Sequence, residues 1–174
     1  LNGDYPPKIL LEFDGKSLLA RHIETLQLYG IKQLSLGVGY QRAKIDQEIM
    51  SLGAGEFVKP VYNEDFLQGN SVTLWKMRDQ LCCGEPVLLM DGDVLYDDRI
   101  LGRLLNSGHQ NSLLLDRHFS LGEEPVKVAV RDGAIVDFGK IIGTECDFFG
   151  ESVGFFYLSA HTAEAIIACI QNYL

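Results

Sequence analysis

The chain has 174 residues, 47% of them hydrophobic and 22% charged, with a formal net charge of −9 at pH 7. That composition suits one soluble globular domain over residues 1–174 with a substantial core. The acidic balance excludes a protein that tracks a nucleic-acid backbone, which needs a basic face, while leaving open a small phosphorylated ligand held by a few local lysines and a metal ion.

Taken in order, strand-like and helix-like segments alternate. Ser17 can cap a helix in which Leu19, Ile23 and Leu26 fall at i, i+4 and i+7, and Gly30 stands where such a helix stops. Residues 31–38 read as a strand. Gly39-Tyr40 turns the chain into a more polar helix through about Leu52, and residues 57–62 form a second short strand. Ser71 can cap the next helix, with Leu74, Met77 and Leu81 on one face. Residues 87–90 are continuously apolar, as in a strand covered on both faces. Ile100, Leu101, Leu104 and Leu105 mark another helix, and residues 112–115 another strand. The pattern then changes: residues 127–131 and 134–138, separated by Asp132-Gly133, predict a hairpin with a favoured two-residue turn. Residues 152–158 give one more strand, and Ala163, Ile166, Ile167 and Ile170 line a final helix. The alternation predicts a mostly parallel, helix-covered sheet with a small antiparallel addition.

The run Val87-Leu88-Leu89-Met90 ends in Asp91-Gly92-Asp93. In an extended chain residues i and i+2 point to one side, so both carboxylates can aim at a point just past a buried strand, where open α/β sheets hold ligands. Hard cations such as Mg²⁺ take oxygen ligands and sit on one or two carboxylates plus substrate phosphates. The plain alternative, a hairpin turn at Asp91-Gly92, is disfavoured because a helix-like segment follows instead of a returning strand.

Cys82, Cys83, Cys146 and Cys169 have no C-x-x-C spacing, and His22, His109, His118 and His161 form no base or metal pattern with them or with one another. The cysteines read as thiols of a reducing compartment. With no secretory leader and no apolar run near about twenty residues, the expected location is the cytoplasm, without a membrane partner. The chain opens at Leu1 without an initiator methionine and stops at Tyr173-Leu174 inside an apparent helix, which reads as a fragment.

Several short motifs stand in a telling order: Pro7-Lys8 before Ile9-Leu10-Leu11, Asp14-Gly15-Lys16-Ser17-Leu18-Leu19, Gly37-Val38-Gly39-Tyr40, Tyr62-Asn63, Gly69-Asn70-Ser71 and Asp91-Gly92-Asp93-Val94. In order and spacing the chain resembles the nucleotidyltransferase superfamily that activates phosphorylated sugars and alcohols. Within it, Asp116, Pro125-Val126-Lys127-Val128, Asp132-Gly133-Ala134-Ile135-Val136, Gly139-Lys140 and Gly150-Glu151-Ser152-Val153-Gly154 are most similar to the cytidylyltransferases acting on phosphocholine, inositol phosphate or phosphonates, and to the sugar-1-phosphate nucleotidyltransferases.

The resemblance implies a Rossmann-like three-layer α/β/α nucleotide-diphospho-sugar transferase fold and an Mg²⁺-dependent enzyme. Its expected partners are a nucleoside triphosphate, CTP favoured, and a small phosphorylated acceptor. Asp93 would be the metal ligand, and Asp91 would reach the ion through water or hold the ribose side. Lys8 would contact the triphosphate, as the Pro-Lys lysine does in the family; otherwise it is a solvated lysine. Gly39, Tyr40, Gly69, Asn70, Ser71, Asp91 and Gly92 would line the nucleotide pocket, with a plain helix cap at 69–71 and a packing role for Tyr40 as the alternatives. Lys127, Lys140 and Glu151 would meet the acceptor. Trp75, although suited to a cationic ligand, reads as a packing residue. The resemblance also places the end of the family's Gly-rich phosphate loop at Leu1 and a second metal-binding aspartate beyond Leu174.

Two other readings compete. Asp91-Gly92-Asp93 is also the D-x-D pattern with which glycosyltransferases hold a metal-bound nucleotide sugar, although those enzymes do not share the Pro-Lys lysine. A non-catalytic regulatory domain of the same fold is the third.

Overall fold

The computed structural model describes residues 5–119 and 125–174. Leu1, the residue matched to the end of the Gly-rich loop, lies outside the described residues.

A short 3-10 turn, Lys8–Leu10, leads into a tight hairpin of β1 (Glu12–Phe13) and β2 (Lys16–Ser17). Asp14 and Gly15 make its turn at φ 51° and 71°. Helix α1 (Leu18–Leu28) follows, capped as expected: the Ser17 hydroxyl accepts from the Ala20 N–H at 3.1 Å. Leu19, Ile23 and Leu26 are buried on its inner face. Then come β3 (Leu34–Val38), α2 (Arg42–Ser51) and β4 (Val58–Tyr62).

The next helical stretch differs from the expectation. Instead of one helix capped by Ser71 there are two short ones, α3 (Asn70–Lys76) and α4 (Arg78–Leu81), divided at Met77. Ser71 lies inside α3, because Gly69 at φ 105° and ψ 172° turns the chain so that the helix starts at Asn70. That backbone conformation is natural to glycine alone.

Strand β5 (Val87–Met90) precedes the Asp91-Gly92-Asp93 turn, after which α5 (Asp98–Leu105) forms with Asp97 as its cap. The turn therefore leads on to a helix, not back into a hairpin. Beyond it lie β6 (Ser112–Asp116), the hairpin β7 (Lys127–Arg131) and β8 (Ala134–Gly139), then β9 (Phe148–Leu158) and α6 (Ala160–Gln171). Asp132 and Gly133 take φ 51° and 75°, the positive values that the predicted turn requires. Asn172 caps α6, so Tyr173 and Leu174 follow the helix instead of continuing it.

The α/β class and the added hairpin match the sequence reading, while the balance of strand direction differs. β3 and β4 pair in parallel. The 11-residue β9 runs antiparallel to β5, β6 and β7, so one long strand supplies most of the ladders in that sheet. Apolar periodicity reports which faces are buried and is silent about direction.

The two sheets share one core. Leu19, Ile23 and Leu26 of α1, Val38 of β3, Ile45 and Ile49 of α2, Val58 of β4, Leu101 and Leu104 of α5 and Phe155 of β9 form a single buried cluster. β5 is only half-buried along its length, less covered than its apolar run suggested. Among the described residues no helix is long and apolar enough to cross a membrane.

Candidate active site

The Asp91-Gly92-Asp93 turn is held from three directions. On the β9 side, the Asp91 N–H donates to the Gly154 carbonyl at 3.0 Å, continuing the β5·β9 ladder one step past Met90. On the N-terminal side, Lys8 Nζ donates to Asp93 Oδ2 at 2.9 Å, and Ile9 lies over Gly92. From below, the buried His22 of α1 reaches the Gly92 carbonyl with Nε2 at 3.1 Å.

Each contact has electrostatic consequences. The Asp93 carboxylate raises the Lys8 ammonium above its ordinary pKa, chiefly by hydrogen bonding and then by charge. Lys8 and Asp93 are 77% and 41% exposed, so as an ion pair they add little to stability, about 0–1 kcal/mol. Their proximity matters more for what it assembles. Burial, and secondarily the charge of Asp93, raise the Asp91 carboxyl above its ordinary pKa. Two carboxylates thus crowd one turn, with Lys8 the one lysine paired to them among the described residues, an arrangement short of positive charge.

That shortage is a test of the implied cation. Among the described residues no three His, Cys, Asp or Glu side chains converge as a closed metal cage. The donor set here is a pair of hard oxygen groups open to solvent, and it fits an ion such as Mg²⁺, which keeps several waters and completes its shell with substrate phosphates. Asp93 would hold it, with Asp91 beside it.

Gly154 is essential to this geometry. Its φ is 80°, and a Cβ there would fall 2.2 Å from Asp91 Oδ2 and 2.7 Å from its Cγ. Gly154→Ala must therefore displace the Asp91 carboxylate while adopting a left-handed backbone that costs about 1–2 kcal/mol. The expected result is a melting point lower by a few degrees and turnover reduced about tenfold, the scale seen when residues supporting a metal site are disturbed. Unchanged melting and turnover would show that the close approach is unimportant.

The predicted nucleotide residues lie around the ends of β3 and β4. Gly39 follows β3 directly under Phe66, whose Cβ would be 2.4 Å from a side chain at that position. Tyr40 rests against Phe66 with ring centroids 6.4 Å apart, and its hydroxyl donates to the Tyr5 carbonyl at 3.1 Å. Gly69, Asn70 and Ser71 start α3 after the 3-10 turn Phe66–Gln68. Asn63, only 1% exposed, binds the loops together: its N–H donates to the Val38 carbonyl at 2.8 Å, its amide donates to Thr73 Oγ1 at 2.9 Å, and its Oδ1 accepts from the Asp65 N–H at 3.0 Å. The segment from Tyr5 to Lys8 touches Tyr40 at one end and Asp93 at the other. The backbone of this short segment thus links the Tyr40 loop to the aspartate turn.

Lys127, Lys140 and Glu151 also come together. Lys127 pairs in register with Glu151 on β9 and with Gly139 on β8, and its Nζ donates to the Lys140 carbonyl at 2.7 Å. Glu151 precedes Gly154 by three positions on the same strand, roughly 10 Å along it. β9 thus connects this second cluster to the aspartate turn. Trp75 packs under Arg78, whose guanidinium sits 5.1 Å from the ring centroid, in keeping with a structural role.

Sequence reasoning gave no role to His22 and did not single out Gly154 or Asn63 as site residues. His22 meets Gly92 across 70 positions of sequence, so no local pattern could have signalled the contact.

No family model matches the chain. Among solved structures it is similar to the inositol-1-phosphate CTP transferase from T. maritima, with a TM-score of 0.73 and 22% identity over 94% of this chain and 65% of that one. It is also similar to the CTP:phosphocholine cytidylyltransferase LicC from Streptococcus pneumoniae, with a TM-score of 0.63 and 20% identity over 97% of this chain and 68% of that one. A third similar structure is HddC from Yersinia pseudotuberculosis complexed with GMP-PN, with a TM-score of 0.60, 13% identity and 91% of this chain covered against 70% of that one. The chain therefore spans about two thirds of the length of these proteins, and with them it shares the fold of the cytidylyltransferases and their relatives.

Proposed function

We propose that the protein is a nucleotidyltransferase that moves a nucleoside monophosphate, CMP favoured, from a nucleoside triphosphate to a phosphorylated small molecule and releases pyrophosphate. The observation that carries this reading is the contact of Lys8 with Asp93 just past the end of β5, on the same N-terminal segment whose Tyr5 carbonyl accepts from the Tyr40 hydroxyl. The shared fold supports it, and CTP is favoured because two of the similar structures are enzymes named for CTP. The acceptor class is phosphocholine, inositol phosphate, a phosphonate or a sugar 1-phosphate.

In this reading an acceptor phosphate oxygen attacks the α-phosphorus in line. A new P–O bond forms, the α–β bridging P–O bond breaks, and its electron pair leaves with pyrophosphate. The attacking oxygen already carries negative charge, so neither a general base nor a covalent intermediate is required. The protein's task is to align two anions and offset their charge. Asp93 would hold Mg²⁺, which when bound neutralises the triphosphate. Lys8 would exchange its bond with Asp93 for triphosphate oxygens, and the Gly39, Tyr40, Gly69, Asn70 and Ser71 loops would enclose base and ribose. Lys127, Lys140 and Glu151 would meet the acceptor. On an acidic protein, Lys8 at the aspartate turn and Lys127 and Lys140 at the β7–β8 hairpin supply local positive charge of the kind that two phosphate-bearing substrates need. A glycosyltransferase would use the same Asp91 and Asp93 but would have no need of Lys8.

Thermal stabilisation tests the donor half. At about 100 times its Kd a ligand stabilises by about 2.7 kcal/mol, several degrees of melting temperature for a domain of this size. CTP with Mg²⁺ should give a shift of that kind, exceeding those of the other triphosphates, and Lys8→Ala should lose at least half of it. Equal shifts in parent and variant would remove Lys8 from the nucleotide.

A further inference from the structure

Three polar side chains are buried among the described residues: Ser17, His22 and Asn63. Ser17 caps a helix and Asn63 joins loops, whereas His22 reaches a backbone carbonyl between two aspartates with one ring nitrogen and the Tyr96 hydroxyl with the other. A buried imidazole costs free energy unless its nitrogens are partnered. Nε2 lies 3.1 Å from the Gly92 carbonyl, which can only accept, so Nε2 carries the proton. Nδ1 is left to face the Tyr96 hydroxyl at 3.5 Å. The His22 ring stacks on Tyr96 with centroids 5.5 Å apart, and Tyr96 meets Phe155 edge-on at 4.7 Å. The imidazole is thus fixed in plane and in tautomer before it meets the turn.

We infer that His22 is a positioning residue for the Asp91-Gly92-Asp93 turn, fixing the Gly92–Asp93 peptide so that the Asp93 carboxylate faces the cation site and not the core. Gly92 has no side chain to restrict its own torsions, so the orientation of that peptide has to be imposed from outside. In a trans peptide the C=O and the following N–H point in opposite directions. Tying the Gly92 carbonyl down to His22 therefore turns the Asp93 N–H away from the imidazole. Burial lowers the pKa of His22, with the Gly92 hydrogen bond and the Asp93 charge opposing that effect, consistent with a neutral ring held by geometry. The inference rests on reading the aspartate turn as a cation site.

The test uses two substitutions that each keep one of the two polar contacts. The side-chain amide of His22→Gln can reach the place of Nε2, whereas that of His22→Asn reaches only as far as Nδ1. Mn²⁺ binding is measured by electron paramagnetic resonance of the free ion, with Mn²⁺ alone and with Mn²⁺ plus CTP, alongside the melting temperature of each protein. Leu104→Ala, a core change in α5, serves as a control for general destabilisation. His22→Gln should bind Mn²⁺ within about threefold of the parent, and His22→Asn about tenfold more weakly, the usual scale for partners that orient metal ligands. The Leu104→Ala control should melt lower yet bind Mn²⁺ as the parent does. Equal Mn²⁺ affinity in parent, His22→Gln and His22→Asn would overturn the positioning role while leaving the cation site intact. Equal weakening in both variants and the control would reduce His22 to a packing residue. If the parent itself binds no Mn²⁺ with or without CTP, the reading of the turn fails, and the inference with it.

Discussion

Asp93→Asn is expected to leave the fold in place and to lower turnover by about 10²-fold or more, equivalent to roughly 2.7 kcal/mol of barrier. Asp93 is 41% exposed and bonded to one exposed lysine, so its charge contributes little to stability. Asparagine keeps the shape and one oxygen but removes the anionic ligand that a hard cation requires. Unchanged melting together with collapsed turnover at saturating Mg²⁺ is the expected pair of results. Turnover within about threefold of the parent would mean that Asp93 does not hold the ion.

Phe155→Ala should have the largest effect on stability. Phe155 is fully buried, sits opposite Met90 in the β5·β9 register, follows Gly154 and packs against Tyr96. Removing such a ring leaves a cavity and typically costs about 3–5 kcal/mol, against a total stability of about 5–15 kcal/mol for a domain. The loss should appear as a much lower denaturant midpoint. It should also loosen the stack that holds His22 under the turn, so residual activity at low temperature should fall as well. A stability loss below about 1 kcal/mol would show that the core closes over the gap and that the site does not depend on this contact.

The readability of the site from sequence follows the range of the interactions involved. Asp91 and Asp93 stood out because an apolar run ends in two carboxylates two positions apart, although the strand stops at Met90 and residues 91–93 form a turn, so strand alternation does not set their directions. The Ser17 cap and the Asp132-Gly133 turn are equally local, and the structure has both. Ser71 shows the limit of the same logic: a serine near a helix start reads as a cap, but Gly69 takes the cap position and begins the helix two residues earlier. Strand direction was harder, because β9 pairs with β5, β6 and β7 through contacts that apolar alternation does not encode. His22 and Gly154 were out of reach for the same reason. Each acts on the aspartate turn from an element far away in sequence; Gly154 ends one of the motifs that carried the resemblance, but no local pattern says that either residue touches the turn. Lys8 was selected through the resemblance to the nucleotidyltransferases, and the fold then put its ammonium on Asp93, 85 positions away.

Pyrophosphate release is the most direct test of the proposed chemistry. The protein is incubated with Mg²⁺, CTP first and then the other triphosphates, and each of phosphocholine, inositol phosphate, an aminoalkyl phosphonate and sugar 1-phosphates. A nucleotidyl transfer predicts pyrophosphate only when triphosphate and acceptor are both present, in equal amount to a new nucleoside diphospho product. No pyrophosphate with any pair, together with release of a nucleoside phosphate from a nucleotide sugar, would contradict the account and assign the aspartate turn to glycosyl transfer.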